Sequence, residues 1–151
     1  MKYIIIIILF IITFFNNVFS AGSPDSGKNV DNTSEFFRAT KLINQSEFEK
    51  AHQILKSILN ELPKGYSASD LYNYYGFTAR KKKKPDFDLS EKYYLKALSI
   101  DPNHIGALEY LGELYVDLKQ LDKAKDLLER LKNVAGENSD EYKELFALIN
   151  N

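Results

Sequence analysis

The sequence predicts an all-α chain, a short α-solenoid of three helix hairpins closed by a C-terminal capping helix. Three observations predict it. From Ser34 onward, apolar residues recur at three- and four-residue spacing, and no alternating strand-like run appears. One pattern recurs three times: Phe48-x2-Ala51-x3-Leu55-x2-Ile58-x4-Pro63, Phe87-x2-Ser90-x3-Tyr94-x2-Ala97-x4-Pro102 and Leu121-x2-Ala124-x3-Leu128-x2-Leu131-x4-Gly136. The strong breakers, Pro63-Lys64-Gly65, Pro85, Pro102 and Gly136, then cut the chain into helix-sized pieces.

The N-terminus stands apart. Lys2 precedes an almost unbroken apolar run from Tyr3 to Phe15, and Val18-Phe19-Ser20-Ala21 follows. That run is shorter than the roughly 20 residues a helix needs to span a bilayer. The pattern predicts a secretory signal peptide over 1–20, cut after Ser20, with an uncleaved membrane anchor as the alternative. Either outcome places the rest of the chain outside the cytoplasmic membrane, in the periplasm or beyond the cell. Residues 21–33, "AGSPDSGKNVDNT", are too polar and too rich in breakers to bury surface and predict a flexible leader.

The repeat units fall at about 32–65, 69–104 and 105–138, with the cap helix at 139–150. In each unit the helix with the recurrent pattern follows another that pairs apolar and small residues: Arg38-Ala39-x2-Leu42, Tyr75-Gly76-x2-Ala79 and Leu111-Gly112-x2-Tyr115. A glycine inside a helix costs about 1 kcal/mol relative to alanine, so Gly76 and Gly112 predict close approach of the hairpin's partner helix. Ser46-Glu47-Phe48-Glu49 reads as a capping box, and Asp101-Pro102 as an N-cap followed by a first-position proline. Tyr142, Leu145, Phe146 and Ile149 form the apolar face of the cap helix, and its other face is charged, as a solenoid end requires.

The spacing resembles the tetratricopeptide repeat family. The third unit, with "ALEYLGELYVDLKQLDKAKDLLERL", carries the family's apolar, Leu-Gly, Tyr and Ala positions in order. The second, with "YYLKALSIDPNH", is similar, and the first keeps Ala51 and Pro63 without the Leu-Gly pair. "GALEYLGELY" followed by Glu141-Tyr142-x2-Leu145 is also similar to small exported bacterial repeat proteins. The resemblance implies a right-handed solenoid whose concave groove, lined by the first helix of each unit, binds a protein or peptide partner. Its groove positions fall on Phe36, Thr40 and Ile43, on Asn73, Phe77 and Arg80, and on Glu109, Glu113 and Val116. Such a groove is apolar at one end, mixed in the middle and acidic at the other. Asn73 alone fits the Lys/Asn clamp that some family members use on a C-terminal carboxylate, and Glu109 and Glu113 would repel one. A segment carrying apolar and basic residues is the expected occupant, held in one direction by the charge at each end.

Other chemistries find little support. The chain has no cysteine, which excludes disulfides, thiolate catalysis and cysteine-based zinc sites. His52 and His104 lack ligand-spaced partners and read as surface residues; no metal or cofactor is assigned. Glu109 and Glu113 are neighbours on one helix face, an acidic patch rather than a catalytic pair. Tyr94, Tyr115, Phe48 and Phe87 sit at packing positions and read as core. No phosphate loop or catalytic triad occurs, so an enzyme is not expected. With 20 basic against 21 acidic side chains, nucleic acid is not an expected partner. The expected function is an exported adaptor or assembly factor. Its runner-up is a self-associating structural protein. One basic run, Arg80 followed by Lys81, Lys82, Lys83 and Lys84, falls in the second hairpin's turn. That turn runs eleven residues from Gly76 to Phe87, against nine from Ala39 to Phe48 and from Gly112 to Leu121. Its cations suit the negative end of a helix, and it is also a candidate electrostatic contact with anionic lipid headgroups or an acidic partner surface.

Overall fold

The structure is a computed structural model and describes residues 35–60 and 66–151. The expected signal peptide and leader, and the terminators Pro63 and Gly65, lie outside the described residues. Seven helices and no strand occur among the described residues: α1 (Glu35–Asn44), α2 (Phe48–Ile58), α3 (Ala68–Lys81), α4 (Phe87–Ile100), α5 (Ile105–Asp117), α6 (Leu121–Ala135) and α7 (Asp140–Asn150). Consecutive pairs form hairpins: α1 with α2, α3 with α4, α5 with α6. The second helix of each hairpin packs on the first helix of the next, and α7 packs on both α5 and α6. This is the all-α repeat solenoid that the periodicity predicts.

The small residues of the recurrent pattern, Ala51, Ser90 and Ala124, are fully buried, as close helix approach requires. Two apolar cores result. One gathers Phe36, Ala39, Ile43, Leu55 and Leu71 with Tyr74 and Tyr75. The other joins Tyr94, Leu108, Leu111, Leu114 and Leu131 with Leu145 of α7. Phe77 packs against both. The pattern's opening residues behave differently: Phe48 is half-buried, but Phe87 is exposed rather than core.

The two mid-helix glycines have different causes. A β-carbon at Gly76 would lie 3.0 Å from the Tyr94 ring and 3.1 Å from the Ser90 carbonyl, so the partner helix α4 is responsible, as expected. At Gly112 it would lie 2.5 Å from Leu145 Cδ2, so the close neighbour is the capping helix α7 and not α6.

Turn chemistry departs from the capping expectations. Ser46 is no N-cap. It closes α1 with φ at 59°, while its N–H bonds Ile43 O at 2.8 Å and Glu47 N–H bonds Leu42 O at 2.9 Å. Lys119 repeats this arrangement after α5, with φ at 61° and matching bonds to Val116 O (from its own N–H) and Tyr115 O (from Gln120 N–H). Both are Schellman endings built without glycine. Asp101 likewise does not cap α5: its carboxylate accepts Asn103 N–H, and His104 caps the helix, its Nδ1 accepting Ala107 N–H at 3.1 Å. Ser139 caps α7 by accepting Tyr142 N–H.

Candidate functional site

The first helices of the hairpins, α1, α3 and α5, touch in sequence, and α7 continues the row beside α5. On α1, Phe36 and Ile43 are buried in the core, with the Phe36 ring 5.0 Å from Tyr66 and 5.7 Å from Tyr74. Thr40 is half-buried and donates its hydroxyl to Phe37 O in its own helix. The apolar end of the expected groove is thus largely spent on packing.

Residues of α3 and α5 are brought together closely. Asn73 is 2% exposed, and its Nδ2 would lie 3.0 Å from a β-carbon at Gly106. Phe77 bridges Phe48 and Tyr110, with ring centroids at 5.9 and 4.7 Å. Arg80 is buried; its guanidinium donates to Tyr110 O and to the Glu113 carboxylate, and Nη1 lies 3.8 Å from Asp117 Oδ2. This corrects the expected polarity. Arg80 does not mark one end of a groove with carboxylates at the other. It is neutralised by the acids of the neighbouring helix, because positions 80 and 113 face each other across the α3–α5 contact. Val116 is half-buried against the core.

Glu109 is the most perturbed of the acids. It is 2% exposed, and its carboxyl is pushed up to about 9, chiefly by burial and further by the negative fields of Glu113, Glu144 and Glu141, with Arg80 opposing. Glu144 of α7 is raised too, first by partial desolvation and then by Glu113, Asp140 and Glu141, with a side-chain hydrogen bond to Glu109 opposing. One carboxylate oxygen from each of Glu109, Glu113 and Glu144 lies within 4.8 Å of the others. Glu109 and Glu113 were legible as neighbours from their four-residue spacing. Glu144 was not, because the whole of α6 and 30 residues of chain separate it from Glu113. The only signal for it was its position beside Leu145, the residue that seats α7 against Gly112.

Both histidines lie at joints between hairpins rather than on open surface. The His52 ring stacks on Tyr75 at 4.4 Å, and its Nδ1 lies 3.0 Å from Thr78 Oγ1. Burial first, then the charges of Lys82 and Lys56, bring it down to about 4. His104 spans α3 and α5. Its Nδ1 accepts from the α5 backbone, so Nε2 carries the proton and donates to Asp70 Oδ1 at 2.9 Å.

The basic turn is held rigidly. Its two extra residues are accommodated without a left-handed residue. Asp86 N–H bonds Ala79 O at 2.9 Å, Asp86 Oδ1 caps α4 through Leu89 N–H, and Lys83 N–H bonds Glu49 Oε1 at 2.6 Å. Glu49, expected to complete a capping box, is instead spent across the hairpins on this turn. Lys81 lies with its ammonium 5.8 Å above the Phe77 ring. Lys83 and Lys84 are exposed, Lys82 half-exposed, and none of the four forms an ion pair among the described residues. No helix among the described residues is long and apolar enough to cross a membrane.

Residues 86–149, from the cap of α4 through α7, match the tetratricopeptide repeat family model. Two proteins, both described as uncharacterized protein ycf37, are similar to the chain. The one from Porphyra purpurea is 32% identical over 91 residues, covering 59% of this chain and 51% of that protein. The one from Pyropia yezoensis is 30% identical over 95 residues, covering 62% and 52%. The chain therefore spans about half the length of the curated relatives it matches. With its helices stacked hairpin on hairpin, the segment 86–149 carries the tetratricopeptide repeat of that family.

Proposed function

We propose that this chain is an exported, non-enzymatic interaction module, an envelope adaptor or assembly factor that captures a partner segment carrying apolar and basic residues. The family's role as a protein-interaction scaffold supports the general reading. The observation that carries the finer one is the pairing of Arg80 with Glu113 and Asp117. It neutralises the buried cation of the α3–α5 row. The accessible acids left along α5 and α7 are Asp117, Asp140 and Glu144, against one exposed cation, Lys143, whose ammonium is bonded to Asn138 O. Half-buried Phe77 and Val116 supply apolar surface beside these acids. A carboxylate clamp would find only Lys81 there, at the end of α3 beside Glu113 and Asp117, and Asn73 is too buried to serve one. Export rests on Lys2 and the apolar run Tyr3–Phe15.

The test is a panel of labelled peptides, apolar–basic and apolar–acidic, read by fluorescence anisotropy at two salt concentrations. Basic peptides should bind, more weakly at high salt, and Asp117→Lys with Glu144→Lys should reverse the preference. Preference of the unaltered protein for acidic peptides would refute the reading. Two further contacts have specific support. Exposed Phe146 (49%) and Leu148 (43%) on α7, the former expected in the cap's buried face, favour self-association as the second reading. A mass that stays monomeric as concentration rises would exclude it. The pinned lysine turn favours contact with anionic lipid headgroups.

A further inference from the structure

Among the described residues, four buried side-chain atoms have no hydrogen-bond partner: Asn73 Oδ1, Arg80 Nε, the Tyr94 hydroxyl and Glu109 Oε2. Buried polar groups left alone are costly, and an orphan asks what satisfies it. Three of these belong to residues that act electrostatically on one another, Arg80, Tyr94 and Glu109. Tyr94 is fully buried on α4, and the charged groups acting on its hydroxyl are Arg80, Glu113, Glu109 and Asp117. Glu109 belongs to the carboxylate group whose oxygens approach within 4.8 Å across α5 and α7.

The geometry points to a divalent-cation site at Glu109, Glu113 and Glu144, for a hard ion of the Ca²⁺, Mg²⁺ or Mn²⁺ class. The donor set is all carboxylate oxygen, with no imidazole among the three and no thiolate in the chain, which suits hard cations over zinc or copper. Arg80 holds one oxygen of Glu113 and leaves the other free, the orienting contact that ligating carboxylates commonly receive from outside the coordination sphere. The Tyr94 hydroxyl, buried and unpartnered, is available to a water on that ion.

The experiment uses the full chain, treated with EDTA and dialysed, then titrated separately with Mn²⁺, Ca²⁺ and Mg²⁺ by calorimetry and thermal melting. One ion per chain should bind saturably and raise the melting temperature, and Mn²⁺ should broaden the NMR signals of residues around Glu109 and Glu144. Glu144 is exposed, so Glu144→Gln should keep the helical circular-dichroism spectrum while weakening binding tenfold or more. Asp126→Asn, an exposed acid on α6, should leave binding unchanged. Absence of saturable binding at millimolar ion, or binding indifferent to Glu144→Gln, would overturn the inference. Binding of basic peptides without any metal binding would overturn it while leaving the groove reading intact.

Discussion

Glu109→Gln should stabilise the metal-free protein, and the gain should depend on pH in a calculable way. Glu109 holds its proton to about pH 9 in the folded chain, against an ordinary value of 4.5. Below pH 4.5 it is protonated in both states and folding costs nothing on its account. Between 4.5 and 9 the unfolded chain is ionised there and folding must take up a proton, so stability falls by about 1.4 kcal/mol per pH unit. At pH 7 the accumulated cost is about 3 kcal/mol, a large part of a small domain's total stability. Glutamine is neutral at every pH and occupies nearly the same volume. The groups that set the shift, Glu113 on α5, Glu141 and Glu144 on α7 and Arg80 on α3, all remain in the variant. Urea denaturation in EDTA at pH 4.5, 6, 7 and 8.5 measures the difference. It should be near zero at pH 4.5, up to about 3 kcal/mol in favour of the variant at pH 7, and larger at 8.5. A difference independent of pH, or a less stable variant at pH 7, would show that Glu109 folds ionised and is compensated by Arg80.

Lys119→Gly should raise the denaturation midpoint by the equivalent of about 1 kcal/mol, since φ of 61° strains any residue with a β-carbon; a lower midpoint would contradict the Schellman assignment. Gly112→Ala should cost about 1–3 kcal/mol from overpacking against Leu145, less about 1 kcal/mol of gained helix propensity, measured by thermal melting; a net gain would mean that α7 shifts freely. His52, depressed to about 4, contributes stability that is complete above pH 6.5 and drains away as pH falls toward 4; an NMR titration midpoint at 6 or higher would contradict its half-buried stacking on Tyr75. Changing Lys82, Lys83 and Lys84 to Ser should abolish salt-sensitive binding to phosphatidylglycerol vesicles, and no vesicle binding by the unaltered protein at low salt would dismiss the lipid contact.

The helices were legible because burying one face imposes a period, and that period survives substitution. The small residues Ala51, Ser90 and Ala124 mark close approach whatever surrounds them, and all three are buried. What was not legible was the partner each special residue meets. Gly112 announces a neighbour without naming α7. Ser46, Asp101 and Glu49 have side chains suited to capping, and the backbone used each otherwise, because a tight hairpin turn fixes its own hydrogen bonds before any side chain competes. The same limit applied at the site. Position on a helix identified Arg80, Glu109 and Glu113 as facing the same row, but whether Arg80 meets solvent or Glu113 depends on inter-hairpin distance, and sequence does not carry that distance.

The cap helix therefore has a second consequence beyond ending the solenoid. Leu145 seats α7 through the gap that Gly112 leaves, and Glu144, its neighbour in sequence, reaches the acids of α5 only when that seat is filled. Bringing Glu144 to Glu113 adds like charge and opposes the docking that Leu145 favours, while Glu109, protonated, hydrogen-bonds to Glu144. Anything cationic that settles among the three, an ion or a partner's basic side chain, removes that opposition and holds α7 down. By linkage, whatever loosens α7 must weaken that cation's binding by the same free energy. The accessible acid and the exposed Phe146 and Leu148 ride on this same helix, so the groove's charge and the apolar end surface are not independent features. Both are governed by how firmly one eleven-residue helix is docked.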